Sequence, residues 1–165
     1  MSLIWHEMNY YDKIASSYNG LYSEEQRKKL RIIKEKIRIP RKTRVLDIGC
    51  GTGISSEFEN FVVGIDSSIE LLKLNKNGKK IFGRAESLPF KNHSFDLVIS
   101  LTAIQNFDNA DESLREIKRV GKKVFVVSAL KKSPKIGNIK KLIQEHFKVK
   151  EILEEEKDLI FFLEA

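Results

Sequence analysis

Apolar and polar positions along the chain form segments that switch between helical and strand spacing. Residues 24–37 carry apolar side chains at helical spacing, Leu30 and Ile33 among them, and predict a helix that Ser23 caps and Pro40 ends. Beyond it, short apolar runs predict strands, and near-continuous runs are typical of strands covered on both faces. The predicted strands are residues 44–48, 61–65, 81–82, 95–101, 124–128, 149–153 and 159–163.

Helices are predicted between these strands. One follows a cap at Ser67 or Ser68 and ends at Leu74, a second spans about residues 111–120, and a third starts at a cap on Asn138. Strands that alternate with helices favour a mostly parallel sheet. We therefore predict an α/β fold, a Rossmann-like, doubly wound, mostly parallel seven-stranded sheet. A C-terminal hairpin is expected to add one antiparallel strand at or near its edge.

Length and composition are those of one domain, residues 1–165, with an N-terminal helical cap segment over 1–40 and a Rossmann-like core over 41–165. Apolar residues make up 41% of the chain, and no apolar run approaches the roughly 20 residues that cross a bilayer. The first residues have no apolar signal core, and the single cysteine, Cys50, excludes an internal disulfide. We expect a cytoplasmic protein with no membrane partner.

The formal net charge of +7 favours an anionic partner such as RNA, although it also serves solubility. After the fifth predicted strand, residues 129–137 are short and basic and include Lys131, Lys132 and Lys135. This segment predicts a cationic rim suited to a large anionic acceptor. A solvated lysine loop is the alternative interpretation.

A glycine cluster follows the first predicted strand, where ligands of such sheets bind. Asp47 precedes Gly49, Gly51 and Gly53, and these glycines allow the backbone to turn sharply and approach a ligand closely. The spacing fits neither a dinucleotide fingerprint nor a phosphate-binding P-loop. An acid before the glycines would repel phosphate, so the loop favours a cationic ligand.

Asp66 ends the second predicted strand, at the spacing where an acid binds a ribose diol in nucleoside-binding sheets. The alternative is a capping role for the helix that follows. Because the chain also carries the glycine loop after Asp47, binding of a ribose is the stronger hypothesis for Asp66.

Four segments in this order resemble the class I S-adenosylmethionine-dependent methyltransferases, and in particular their methyltransferase-11 type. The segments are residues 45–53, 63–66, 85–90 and 94–100. The resemblance covers about residues 44–127 and implies S-adenosyl-L-methionine as cofactor and S-adenosylhomocysteine as its product. The segment from Tyr11 to Tyr18 also resembles the N-terminal segment that closes over the cofactor in many members.

The resemblance implies a set of cofactor-binding residues. They are Asp47, Gly49, Cys50, Gly51 and Gly53 at the methionine end, Asp66 and Ser67 at the ribose, Ala85 and Glu86 at the adenine, Ser100 and Leu101 near the transferred methyl, and Tyr11 and Tyr18 in the closing segment. Arg84 stands where the family commonly has Asp, so Glu86 would have to replace that partner of the adenine amino group. Cys50 is also interpreted as a small packed side chain.

The acceptor-side candidates follow the fourth predicted strand. Gln105 and Asn106 have the groups to hydrogen-bond a base edge or a carboxamide, Phe107 has a ring that can stack on a flat acceptor, and Thr102 lies near the methyl. The alternative places Phe107 in the core and Asn106 in a turn. No catalytic base is identified and no spacing fits a metal site. A weaker similarity to the ribosomal-RNA guanine-N7 branch adds a small activator subunit to the expected partners.

Three functions follow from these observations. Methylation of RNA, at a tRNA or rRNA base, is favoured by the net charge and the basic segment. Methylation of a small molecule is the alternative, and a non-catalytic cofactor-binding scaffold or regulatory subunit is the second alternative.

Overall fold

Seven strands form one sheet in the order β3-β2-β1-β4-β5-β7-β6. The computed structural model describes residue 20 and residues 23–165. The strands are β1 (Arg44–Ile48), β2 (Phe61–Asp66), β3 (Lys80–Phe82), β4 (Phe95–Ser100), β5 (Gly121–Leu130), β6 (Lys148–Glu154) and β7 (Asp158–Glu164). All pairs are parallel except those of β7, which is antiparallel to both β5 and β6. The predicted Rossmann-like fold and its near-edge antiparallel strand are confirmed.

The helices lie on both faces of this sheet. They are α1 (described over residues 23–36), α2 (Ile69–Leu74), α3 (Ala110–Val120) and α4 (Ile136–His146), with 3-10 turns at Ile54–Glu57 and Ile104–Asn106. On one face, α3 and α4 pack Leu114, Ile117 and Ile143 against the sheet. On the other, α1 packs Leu30 and Ile33 on the central strands. Within residues 20 and 23–165, no helix combines the length and apolarity needed to span a membrane.

Two of the predicted helix caps are wrong. Asn138 lies inside α4, because the N-cap position is Lys135, three residues earlier, after a turn in which Ser133 accepts a hydrogen bond from the backbone N–H of Lys135 (3.2 Å). Ser23 is itself helical. Of the two alternatives for α2, Ser68 is the cap, and its hydroxyl accepts from the N–H of Leu71 at 3.2 Å.

β5 begins three residues earlier than predicted, directly after α3. Gly121 is its first residue, and a Cβ there would lie 2.3 Å from the ring of Phe125. The glycine is therefore needed because an aromatic side chain packs on the backbone, which strand spacing alone does not indicate.

Candidate functional site

The strand order reverses between β1 and β4, and a cleft opens where these strands end. Together with the solvent space at its mouth the cleft measures about 340 Å³, and its lining residues are Gln26, Leu30, Asp47, Gly49, Cys50, Ile54, Ser55 and Leu101. The structure thus brings four of the predicted site residues together. Sequence reasoning missed Gln26 and Leu30, because nothing in a helical repeat indicates which turn of α1 will border the cleft.

The glycine loop depends on backbone conformations that only glycine adopts freely. Gly49, Gly51 and Gly53 have φ angles of 76°, 52° and 88°. A Cβ on Gly49 would lie 2.6 Å from the Cβ of Ala103, and one on Gly53 would lie 2.2 Å from Oδ1 of Asn75. The loop is therefore fixed by both conformation and packing.

Gly53→Ala is expected to lower the free energy of unfolding by about 1–3 kcal/mol, because a side chain there adopts a strained φ and displaces Asn75. Gly137→Ala is the matched control. Gly137 lies exposed in α4 with no atom within 4 Å of its added Cβ, and the change is expected to stabilise by about 0.5–1 kcal/mol. Urea unfolding measures both, and equal effects would contradict this account of the loop.

Asp47 is a buried acid at the end of β1. It is 5% exposed, and its carboxylate accepts a hydrogen bond from the hydroxyl of Ser55. Burial raises the pKa of Asp47 to about 7; the Ser55 hydrogen bond opposes this shift and the charge of Asp66 adds to it. Within residues 20 and 23–165, no Lys, Arg or His forms an ion pair with it. A buried carboxylate at an open cleft, without a counterion, fits the cationic cofactor that the resemblance implies.

Asp66 at the end of β2 holds two neighbouring backbone segments. One carboxylate oxygen accepts from the N–H of Gly51 and the other from the N–H of Ser68, each at 2.8 Å. It therefore anchors the glycine loop and the start of α2. Ser67 lies beside it, half-buried, and the ribose roles of both residues stay predictions.

Cys50 is packed rather than reactive. Its side chain is buried against Gly64, where an added Cβ would lie 2.7 Å from Sγ. Burial, with the nearby charges of Asp47 and Asp66, raises the pKa of the thiol. Because the thiolate is the nucleophilic form, this geometry agrees with the packed interpretation.

The expected adenine side is occupied by protein contacts. Arg84 forms an ion pair with Asp108 and lies 3.6 Å from the carboxylate of Glu86. Glu86 also accepts from the backbone N–H of Asn109 at 3.1 Å, and Ala85 is buried. The acid that would replace the missing Asp therefore already has partners, and its contact with adenine stays a prediction.

Thr102, after β4, has its hydroxyl engaged by the protein. Oγ1 accepts from Nζ of Lys29 at 2.5 Å and donates to Asp158 at 2.6 Å. Its N–H donates to the carbonyl and hydroxyl of Ser128, at 3.1 and 2.8 Å. The backbone φ of 54° is rare for a β-branched residue. Thr102 is thus an anchor of the acceptor-side turn.

Lys29 and Asp158 form a buried ion pair that sequence reasoning missed. Their charged atoms lie 2.9 Å apart, with side chains 6% and 1% exposed. The hydroxyl of Ser128 donates to the same carboxylate oxygen at 3.1 Å. This network ties α1, β5 and β7 to the turn at Thr102.

Three polar atoms in the described part of the chain are buried without a hydrogen-bond partner: Ser100 Oγ, Gln105 Oε1 and Asp158 Oδ1. Gln105 donates through its amide nitrogen to the carbonyl of Thr102 at 2.9 Å, which leaves its side-chain oxygen free to accept. Phe107 is half-buried against the core, as the alternative interpretation proposed, and Asn106 lies in a 3-10 turn.

The predicted lysine rim is partly neutralised. Lys131 pairs with Glu154 at 3.0 Å, and Lys135 donates to the backbone carbonyl of Gln105 at 3.0 Å, whereas Lys132 is exposed. Tyr11 and Tyr18 lie outside the described residues. Across residues 20 and 23–165, no group of three His, Cys, Asp or Glu side chains is placed to hold a metal ion.

Comparison with known proteins gives a consistent family. A family model described as a methyltransferase domain matches residues 46–125. An uncharacterized protein of Methanocaldococcus jannaschii is 39% identical over 160 residues, 92% of this chain and 62% of that protein. A demethylmenaquinone methyltransferase of Listeria welshimeri is 30% identical over 159 residues, 84% of this chain and 67% of that enzyme. The chain spans between half and two thirds of the length of several of its curated relatives.

Other similarities are more local or concern the fold alone. An 18S rRNA (guanine-N(7))-methyltransferase of Schizosaccharomyces pombe is 38% identical over 79 residues, 42% of this chain and 30% of that enzyme. The methyltransferase solved in complex with the Trm112 activator of Haloferax volcanii shares the fold, with a TM-score of 0.79 at 15% identity over 94% of this chain and 95% of that one.

Proposed function

This chain belongs to the class I S-adenosylmethionine-dependent methyltransferases, and we propose that it binds this cofactor in the cleft and methylates RNA. The observation that carries the cofactor site is Asp47, a buried carboxylate with no counterion among the described residues, which lines the cleft beside the glycine loop. The bound cofactor supplies an electrophilic methyl group on a cationic sulfur.

In this proposal, the residues of the chain bind the cofactor and align it with the methyl acceptor. Asp47 neutralises positive charge at the methionine end, the glycines allow close backbone approach, and Asp66 accepts from the ribose hydroxyls. Leu101 lines the cleft at the end of β4, so an acceptor held there would lie close to the cofactor. Holding two reactants in line can lower the barrier by several kcal/mol, roughly 7–11 in favourable cases, so no dedicated base is required.

Asp66→Ala is expected to raise the dissociation constant for S-adenosylmethionine by at least about tenfold, the loss of one good charge-assisted contact. Isothermal titration calorimetry measures this directly. Because Asp66 also anchors α2 through Ser68, Ser68→Ala is the matched control: it removes the cap hydrogen bond to Leu71 and leaves the carboxylate. An equal loss of affinity in both variants would contradict the ribose role.

RNA is the proposed methyl acceptor because of the net charge of the chain and because of a buried side-chain oxygen that has no hydrogen-bond donor among the described residues. The chain carries +7, and Gln105 Oε1 is a buried acceptor without a partner in the described part of the chain. A base edge offers the amino and imino donors that such an oxygen accepts. Some similar proteins are named for rRNA and tRNA acceptors. The small-molecule alternative is supported by the Listeria welshimeri relative, which matches a larger share of the chain.

To distinguish these functions, the protein is incubated with radiolabelled S-adenosylmethionine and a cell extract. The label is then measured in the RNA, protein and small-molecule fractions. Label in the RNA fraction supports the proposal, whereas label only among small molecules replaces it with the alternative. A third outcome is that the protein binds the cofactor but no fraction is labelled, even when extract protein is added to supply an activator. This result would instead support the non-catalytic scaffold.

An activator subunit is a further part of the proposal. The edge strand β3 and the adjoining helix α2 expose Phe82, Ile69 and Leu74 at 58%, 50% and 41%. An unpaired strand edge flanked by exposed apolar side chains is suited to cover by a second protein. The neighbour from Haloferax volcanii is solved with such an activator.

A further inference from the structure

We infer that the edge of the sheet opposite the cleft binds the sugar–phosphate backbone of the RNA acceptor, an inference that rests on the proposed function. We call this surface the amino edge, because the parallel strands begin there. Its exposed cations are Arg38, Arg41, Lys42, Arg44, Lys79, Lys91, Lys122, Lys123, Lys148 and Lys150.

The topology collects these residues from distant parts of the chain. Parallel strands begin at the same edge, and a basic residue lies at or just before the start of β1, β3, β5 and β6. Asp96 connects two of these strands, because it accepts from the N–H of Arg44 and pairs with Lys122, each at 2.8 Å. Lys148 is paired in register with Glu164, which is itself opposite Val124 on β5.

The positive charge at the amino edge is largely unmatched. Two carboxylates at this edge, Asp96 and Glu164, pair with Lys122 and Lys150. Among the described residues, eight of these ten cations form no ion pair with a carboxylate: Arg38, Arg41, Lys42, Arg44, Lys79, Lys91, Lys123 and Lys148.

The edge around the cleft is different, because several of its cations are paired with carboxylates, although Lys132 and Lys135 are not. Lys28 lies 2.8 Å from Glu155, Lys157 pairs with Glu25, and Lys131 pairs with Glu154. The two ends of the same sheet therefore differ in electrostatic character. A polyanion is attracted to the end with free cations, and releases counterions on binding there.

The shape of the amino edge fits a nucleic-acid strand. Seven strands spaced about 4.8 Å apart give a row about 29 Å long, which can follow several phosphates. Phe61 is 42% exposed within this row, with Arg44 and Lys79 at 5.0 and 5.3 Å from its ring centroid. Cations interleaved with an exposed aromatic are typical of surfaces that bind single-stranded nucleic acid.

The inference also constrains the acceptor. Strands of five to six residues separate the two edges by about 17–20 Å at 3.3 Å per residue. An RNA that uses both edges must therefore wrap the end of the sheet.

The test compares two triple variants with equal loss of charge. K42Q/K123Q/K148Q removes three exposed cations of the amino edge, and K73Q/K140Q/K141Q removes three from the exposed faces of α2 and α4. Binding of a fluorescent RNA hairpin of about 20 nucleotides is measured without cofactor over a range of salt. The edge variant is expected to lose at least about tenfold in affinity and about two units of the log–log salt slope. The control is expected to lose less than about threefold, because charges beyond a Debye length are screened.

Equal losses in the two triple variants, or no loss in either, would overturn the inference. Edge-dependent binding to phosphatidylserine vesicles with none to RNA would also overturn it, and would assign the surface to a membrane. The proposed function fails separately: edge-dependent RNA binding without methyl transfer to RNA removes only the acceptor class. Methylation of RNA with binding unaffected by the edge variant removes only this inference.

Discussion

Asp47→Asn is expected to stabilise the free protein above about pH 7 and at the same time to weaken cofactor binding at least tenfold. The two effects have one cause. The carboxylate is buried without a counterion among the described residues, and in the proposed function the cofactor would supply the positive charge. The Asn side chain has the same shape but no charge. It therefore removes the cost of burying the carboxylate and also removes its attraction to the cationic cofactor.

The pH dependence follows from the raised pKa. In the folded state burial raises the pKa of Asp47 to about 7, from an ordinary value of 3.8. Below about pH 4 the group is protonated in both states, and the variant should differ little from the wild type. Between about pH 4 and pH 7 the unfolded chain releases the proton while the folded protein retains it, so wild-type stability falls; above about pH 7 both states are ionised and the loss is complete. The variant should then be more stable, on the order of 2–4 kcal/mol, since one pKa unit is worth about 1.4 kcal/mol.

Urea unfolding at about pH 5 and pH 8, with calorimetric titration of S-adenosylmethionine, measures both effects. Wild-type affinity should also increase as the pH rises through 7, because ligand binding favours the ionised carboxylate. Ser55→Ala is the control: it removes the hydrogen bond that holds the charged form and should shift the pH dependence further upward. A variant that loses stability at the higher pH, or binds cofactor as well as the wild type, would disprove the cofactor-facing role of Asp47.

Lys29→Met is expected to lower the free energy of unfolding by about 3–5 kcal/mol, because it leaves the buried carboxylate of Asp158 without a counterion. The pair is almost fully buried, and Asp158 Oδ1 already lacks a hydrogen-bond partner in the described residues. The double change Lys29→Met/Asp158→Asn should recover most of the loss, since it removes both charges.

Lys28→Met is the matched control for this prediction. Lys28 is the preceding residue of α1 and also forms an ion pair, with Glu155 at 2.8 Å, but its side chain is exposed. Exposed pairs contribute little to stability, so this variant should behave nearly as the wild type. Denaturant unfolding of the three variants decides the matter. Similar losses for Lys28→Met and Lys29→Met, or a double variant no more stable than Lys29→Met alone, would contradict the buried network.

The sequence determined the strand order along the chain, the α/β class and the position of the glycine loop. These follow from local patterns: apolar runs for β1, β2 and β4, helical spacing in α3, and glycines where the chain must turn with positive φ. Asp47 was predicted as a ligand residue because its place before the glycines depends only on neighbours in the chain. The same locality explains the errors, because the helix that Asn138 was expected to cap has its N-cap position at Lys135, three residues earlier, after a turn at Ser133.

The tertiary structure alone decided which charges are neutralised and which remain free. Lys29 meets Asp158 because β7 inserts beside β5, and Arg84 meets Asp108 because two loops converge at the end of the sheet. Lys131 and Lys135, predicted as a free rim, are engaged by Glu154 and by a backbone carbonyl. Charge pairing acts over a few ångströms in space, whereas these partners are far apart in the chain. Composition therefore establishes a net charge of +7, and only the packing of the strands gathers eight unpaired cations at the amino edge.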